Sequence, residues 1–287
     1  MPIEFFRNHD ELRVRQSFES PTVYMDHWAI MTFSEDLVLQ DRFISAMALK
    51  GGTLLLSNIS MGEFAEAENV RHSLDAEKFL ERVLPNIFLT DFAFDKLLAR
   101  EQVEVNNERR FWPPADLPQL KLLAELAPGG PPCLTVNTFV QMAHQHRIEL
   151  ANVTAEVVNK IRDGFEQVRK HPDYVLKAKN TLPSEKRTRT MIIMGKLMRG
   201  FNLDSNASIS ENDVIDFLHA AMPINCCDYV LLDGPWVGRV NTLKQRIAST
   251  GMNMPIAKCF SKTKNGGVEA FLDSLEAFIA PESPALR

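Results

Sequence analysis

The chain has 287 residues, 45% hydrophobic and 24% charged, the balance of a globular protein large enough for a sizeable core. Its net charge of −5 excludes binding to nucleic acid through overall basicity and leaves that task to a local patch. The longest apolar runs, Thr53–Leu56 extended to Ile59 and Met191–Met194, fall far short of the ~20 residues of a membrane span. No basic-then-apolar leader opens the chain, so a cytoplasmic protein without a membrane partner is expected. Cys133, Cys226, Cys227 and Cys259 show no CxxC spacing and read as reduced, buried thiols.

Residues 1–20 are charged and read as an irregular lead-in. Thr22-Val23-Tyr24-Met25 has the length and apolarity of a buried strand, stopped by Asp26. A helix is predicted from about Glu35 to Leu49, with Leu37, Phe43, Ile44, Met47 and Ala48 on one face and Lys50-Gly51-Gly52 ending it. Thr53–Leu56 is a second strand, and Ser57 to Ser60 leads into a helix carrying Glu63. Glu66 and Glu68 on that helix read as a solvated face. This alternation of strand and helix implies parallel strands with helical crossovers.

Six prolines punctuate residues 111–132, a turn-rich connection. From about Thr135 to Arg199 the pattern is helical and, from Lys160 on, basic, with eleven Lys/Arg against four Asp/Glu. Within it Lys186-Arg187-Thr188-Arg189 is a compact cluster able to grip phosphates, against the alternative of an ordinary solvated face. His144 and His146, two apart on a helix, do not face one another and make poor joint ligands. A second α/β block follows. A helix opens at Ser210–Asp213 and stops at Pro223, Tyr229–Leu232 is a strand ended by Asp233, and a helix spans about Val237–Ser249. A strand at Ile256–Phe260 and a helix at Val268–Ile279 complete it.

Acidic residues recur in one setting: Asp26 and Asp233 directly after strands, Glu63 one turn into the helix after a strand, Asp213 and Asp216 at a helix start, and Asp228 just before a strand. Strand carboxyl ends in an open parallel sheet converge on one crevice. Carboxylates crowded there repel unless a cation lies among them, and all-oxygen donors suit Mg²⁺ or Mn²⁺. For each acid alone a plain structural role stands beside the ligand role: Asp26 can cap the helix after it, and Asp213 can answer a helix dipole. His27, beside Asp26, and His219, three residues after Asp216, are either core histidines or groups that orient a carboxylate or contact phosphate. Trp236 either stacks on a base or packs in the core.

The segments VYMDHW, LLLSNISMGEF and NDVIDFLHAAMPINCCDYVLLD, in this order, resemble the PIN-domain nucleases. The resemblance implies a three-layer α/β/α Rossmann-like fold with a mostly parallel sheet. It implies a discontinuous nuclease domain over 20–100 and 205–280, with 101–204 a mainly helical, locally basic insertion. It implies Asp26, Glu63, Asp216 and Asp233 as the catalytic acids, with Asp213 a rival for the third place and Asp228 an auxiliary. The implied activity is Mg²⁺- or Mn²⁺-dependent endonucleolytic cleavage of RNA, in a toxin, a defence effector or an RNA-processing enzyme. DNA as substrate and a silent module that binds RNA or protein remain the alternatives, and a homo-oligomer or an inhibitory protein partner is left open. The sequence departs from the family pattern at Leu231-Leu232-Asp233, which lacks the usual Thr before the fourth acid. An Asp-nucleophile phosphatase prefers Asp-x-Asp after the first strand, which Asp26-His27-Trp28 does not supply.

Overall fold

The computed structural model describes residues 3–8, 11–66, 70–92, 94–103, 112–117, 120, 147–184, 186–203, 208–263 and 266–279. Cys133, Glu68, His144, His146 and most of the proline-rich stretch lie outside them, as does the side chain of Glu66. The charged lead-in is not irregular: β1 (Ile3–Asn8) and β2 (Glu11–Gln16) pair antiparallel. Glu11-Leu12-Arg13-Val14-Arg15 alternates apolar and charged residues, a period-two signal masked by the density of charge.

The apolar runs of four or five residues become parallel strands covered on both sides, where no alternation with polar residues is needed. They are β3 (Thr22–Met25), β4 (Thr53–Ser57), β5 (Ile87–Thr90), β6 (Tyr229–Leu231) and β7 (Lys258–Phe260). Sheet order is β5-β4-β3-β6-β7, every pair parallel, with Tyr24 level with Leu55 on one side and Val230 on the other. The chain winds outward from β3 through β4 to β5, then returns to build β6 and β7 on the opposite flank. The order therefore reverses between β3 and β6, the place where open α/β sheets form their crevice.

On one face Val23, Met25, Leu54, Leu56 and Leu231 meet helices α1 (His27–Glu35), α2 (Leu37–Lys50), α4 (Val70–Val83) and, near the C-terminus, Gly267–Glu276. Phe33, Phe43, Phe79 and Phe271 fill that layer with ring-to-ring contacts. Between α2 and α4 the chain passes through α3 (Asn58–Glu66), which leaves the end of β4. The single helix expected over 35–49 is two. Asp36 accepts from the Val38 and Leu39 amides and starts α2 afresh, leaving Leu37 67% exposed while Gln40, Phe43, Ala46 and Met47 are buried. Gly51, at φ +67°, ends α2 as expected.

The other face carries α5 (Phe94–Val103), α6 (Arg147–Arg169), α7 (Tyr174–Asn180), α8 (Arg189–Leu197), α9 (Arg199–Leu203), α10 (Glu211–Ala221), the short α11 (Pro223–Cys226) and α12 (Gly234–Ala248), with α13 the Gly267–Glu276 helix already placed. Val158, Phe165, Ile192, Ile193, Leu197 and Phe201 belong to the same continuous core as Tyr24, Phe88, Phe217 and Val237. The basic helical segment thus builds this layer together with α10 and α12 and shares their core. The architecture is three-layered α/β/α around an all-parallel central sheet. Among the described residues no helix is long and apolar enough to cross a membrane. Cys226, Cys227 and Cys259 are buried free thiols.

Candidate metal centre

Asp26 leaves β3 at its carboxyl end, where its amide donates to the Leu231 carbonyl across the crevice (3.1 Å). It is the N-cap of α1, its Oδ1 accepting from the His27 amide (2.8 Å), so the capping role and a place in the site coexist. Glu63 comes from the second turn of α3, and His219 from α10, where it is 1% exposed. One ligand atom of each of Asp26, Glu63 and His219 lies within 4.8 Å of the others.

The remaining acids divide. Asp216, on α10, accepts from Trp236 Nε1 at 3.1 Å and interacts electrostatically with His219, Asp233 and Glu63. Asp233 is the N-cap of α12 but makes no capping bond, and its exposed carboxylate acts on both Asp26 and Asp216. Of the four acids that the resemblance implies as catalytic, Asp26 and Asp216 each interact with both Glu63 and Asp233. Asp213 is engaged elsewhere. Its carboxylate accepts from the Ser210 amide (2.9 Å) and hydroxyl (2.6 Å) in a capping box, which occupies it at the start of α10. Asp228 stands at the amino end of β6, the opposite edge of the sheet, where it accepts from the Thr22 amide (2.8 Å) and hydroxyl (3.0 Å). Its reading as an auxiliary ligand is overturned by strand direction alone.

Three residues anticipated at a nucleic-acid surface also lie elsewhere. Arg189 is 1% exposed and donates to the Asn225 side chain and carbonyl and to the Pro255 carbonyl, tying α8 to α11 and to the segment before β7. Only Lys186 and Arg187 of that cluster are exposed. Trp236 is 4% exposed, against Phe201 and Phe217, so it packs and positions Asp216. His219 is buried inside the site and faces its carboxylates.

Burial governs the charges. The Asp26 carboxyl is pushed up to about 7, first by desolvation and then by Glu63 and Asp233, with His219 pulling the other way. Asp216 is raised for the same first reason, its bond from Trp236 opposing. Burial alone would depress the His219 imidazole, but the carboxylates of Glu63, Asp26 and Asp216 carry it up to about 9. An imidazolium thus balances the buried acids. Its Nδ1 meets the Tyr24 hydroxyl, which lies 3.2 Å from Ser60 Oγ, itself 3.0 Å from Ser57 Oγ. Desolvation holds the Tyr24 phenol well above its usual range and so neutral.

This buried chain was not foreseen for Tyr24, Ser57 and Ser60, whose types fit a strand and a turn. Arg239 was also missed: its guanidinium lies over the Trp236 ring (4.4 Å) and the Phe201 ring (4.2 Å), and it interacts with Asp213 and Asp216. Only the i, i+3 spacing from Trp236 hinted at it.

His219 Nε2 and Glu63 Oε2 approach to 3.2 Å as an ion pair, and neither buried atom has a further hydrogen-bond partner. These two atoms, with the Asp26 carboxylate beside them, would be donors to a divalent cation that displaced the imidazolium proton. The donor set that this trio would offer is mixed, two carboxylates and an imidazole. Comparison with protein-family models, with curated proteins and with solved structures gives no match for this chain.

Proposed function

We propose that the protein is a divalent-metal-dependent nuclease of PIN type that hydrolyses RNA phosphodiester bonds. The single observation that carries this reading is the convergence of Asp26, Glu63 and His219 within 4.8 Å at the sheet's switch point, with Asp216 and Asp233 acting on them. Asp26, Glu63 and His219 would hold the cation. Once bound, it supplies the positive charge that stabilises a phosphodiester under in-line attack and makes water a better nucleophile. Trp236 fixes the Asp216 carboxylate through its Nε1–H, so that this acid faces the crevice in one orientation. Asp233, exposed and unbonded at the rim, is placed to accept a proton from water entering the site. Arg239, with one buried guanidinium nitrogen unpartnered, offers its charge to a phosphate next to Asp216.

A second reading has its own observation. The His219 imidazolium beside Glu63 supplies a resident positive charge, as a catalytically silent PIN-like module would need in place of a metal. Cleavage of matched labelled single-stranded RNA and DNA by wild type and Asp26→Asn, in Mn²⁺ and in EDTA, separates the alternatives. Mn²⁺-dependent RNA cleavage lost in the variant supports the nuclease, and cleavage of DNA alone redirects the substrate. Failure of Mn²⁺ to promote cleavage or to raise the melting temperature would favour the silent module.

A further inference from the structure

The helical layer also carries an open cavity of about 490 Å³ between α6, α7 and α8. It is remote from the acidic crevice. Arg246, whose guanidinium reaches the end of α7 at this cavity, is about thirteen residues along α12 from Asp233, or ~20 Å at the rise of a helix.

Its walls divide by chemistry. Lys177, Arg187 and Lys196 bring three cationic side chains to it, and none of its described lining residues is acidic. Leu182 and Met191, 54% and 46% exposed, join Tyr174 in an apolar and aromatic surface that the fold leaves uncovered among the described residues. Part of the charge answers the end of a helix. The carbonyls at the end of α7 gather cations, Ala178 accepting from Arg199 (2.9 Å) and Thr181 from Arg246 (3.1 Å) and from Lys196. A helix terminus carries about half a charge, while three full cations meet it, Lys177 adds a fourth from its last turn, and Arg187 stands outside it. Burial, with repulsion from Arg246, Arg187 and Arg199, still holds the Lys196 ammonium down to about 8.

We propose that this cavity binds a small organic phosphate of nucleotide size, its anionic groups met by Lys177, Arg187 and Lys196 and its apolar body by Tyr174, Leu182 and Met191. Several converging cations match a multiply charged anion better than a single carboxylate. The volume is that of a small-ligand site, whereas a nucleic-acid strand needs an extended track, and of the exposed pair Lys186 and Arg187 only the latter lines the cavity. The proposal does not depend on the nuclease reading.

Isothermal titration calorimetry in EDTA tests it, with ribonucleoside diphosphates, their nucleosides, inorganic pyrophosphate and a single-stranded RNA as probes. The double variant Lys177→Gln/Arg187→Gln removes two exposed charges, and its melting curve checks that the fold is retained. At least one nucleoside diphosphate should bind saturably and more tightly than its nucleoside. Its affinity should fall about tenfold or more in the double variant and stay unchanged in Asp26→Asn. Absence of binding by every diphosphate and pyrophosphate, binding undiminished in the double variant, or binding of the RNA alone would each overturn the proposal. Pyrophosphate binding as tightly as every nucleoside diphosphate would overturn the role of the apolar wall.

Discussion

Replacing Asp26 by Asn should stabilise the metal-free protein, by an amount that grows with pH. The folded carboxyl titrates near 7 because it is buried beside Glu63 and Asp233, whereas in the unfolded chain it titrates at the ordinary 3.8. A raised folded value means stability that is complete below 3.8 and drains away as pH rises through about 7. Between about pH 4.5 and 6.5 the folded Asp26 keeps its proton while the unfolded chain gives it up, at a cost of up to ~1.4 kcal/mol per pH unit. His219, raised from 6.5 to about 9, stays protonated when folded, but in the unfolded chain it is half deprotonated by pH 6.5, so it adds slope of the same sign only at the top of that window. Asn keeps an oxygen for the His27 amide and has no proton to lose, so the helix cap survives. Discounting the upper bound for relaxation around the site, the variant should gain ~1–2 kcal/mol on wild type between the two ends of the window. Urea unfolding of both proteins in EDTA at about pH 4.5, 5.5 and 6.5 measures it. Parallel stability curves would refute the account of a carboxyl held neutral by burial.

Three further outcomes follow from the same geometry. Asp213→Ala should lower stability by ~1 kcal/mol through the lost capping box while leaving cleavage at the wild-type rate, whereas Asp216→Asn should abolish cleavage; equal activities of the two would reverse the assignment. Trp236→Phe keeps an aromatic ring but removes the donor to Asp216, so kcat should drop about tenfold with a smaller change in KM, read by steady-state cleavage of labelled RNA. Arg189→Met strands the buried Asn225 and Pro255 oxygens and should cost ~3 kcal/mol or more in chemical denaturation; a loss confined to RNA affinity would restore this residue to a binding surface.

What the sequence determined by itself is the local order. Short uncharged runs such as Thr22–Met25 and Thr53–Leu56 read as buried strands, Gly51 as the end of a helix, and Asp26, Glu63, Asp216 and Asp233 each follow a strand or sit near the start of a helix beside one. Local periodicity and capping carry that information because they depend on neighbours in the chain. Tertiary structure decided what distance along the chain conceals. Strand direction sent Asp228 to the far edge of the sheet, and a capping box occupied Asp213 three residues from Asp216. The shared core drew Arg189 inside, away from Lys186 and Arg187, because its guanidinium found Asn225 and the Pro255 carbonyl there. His219 entered the site, and Tyr24, Ser57 and Ser60 formed the chain behind it, because β3, α3 and α10 meet at one crevice. A residue type records its chemistry in the sequence, but its partners are set by which faces of distant elements pack together, and the charge it carries follows from that burial.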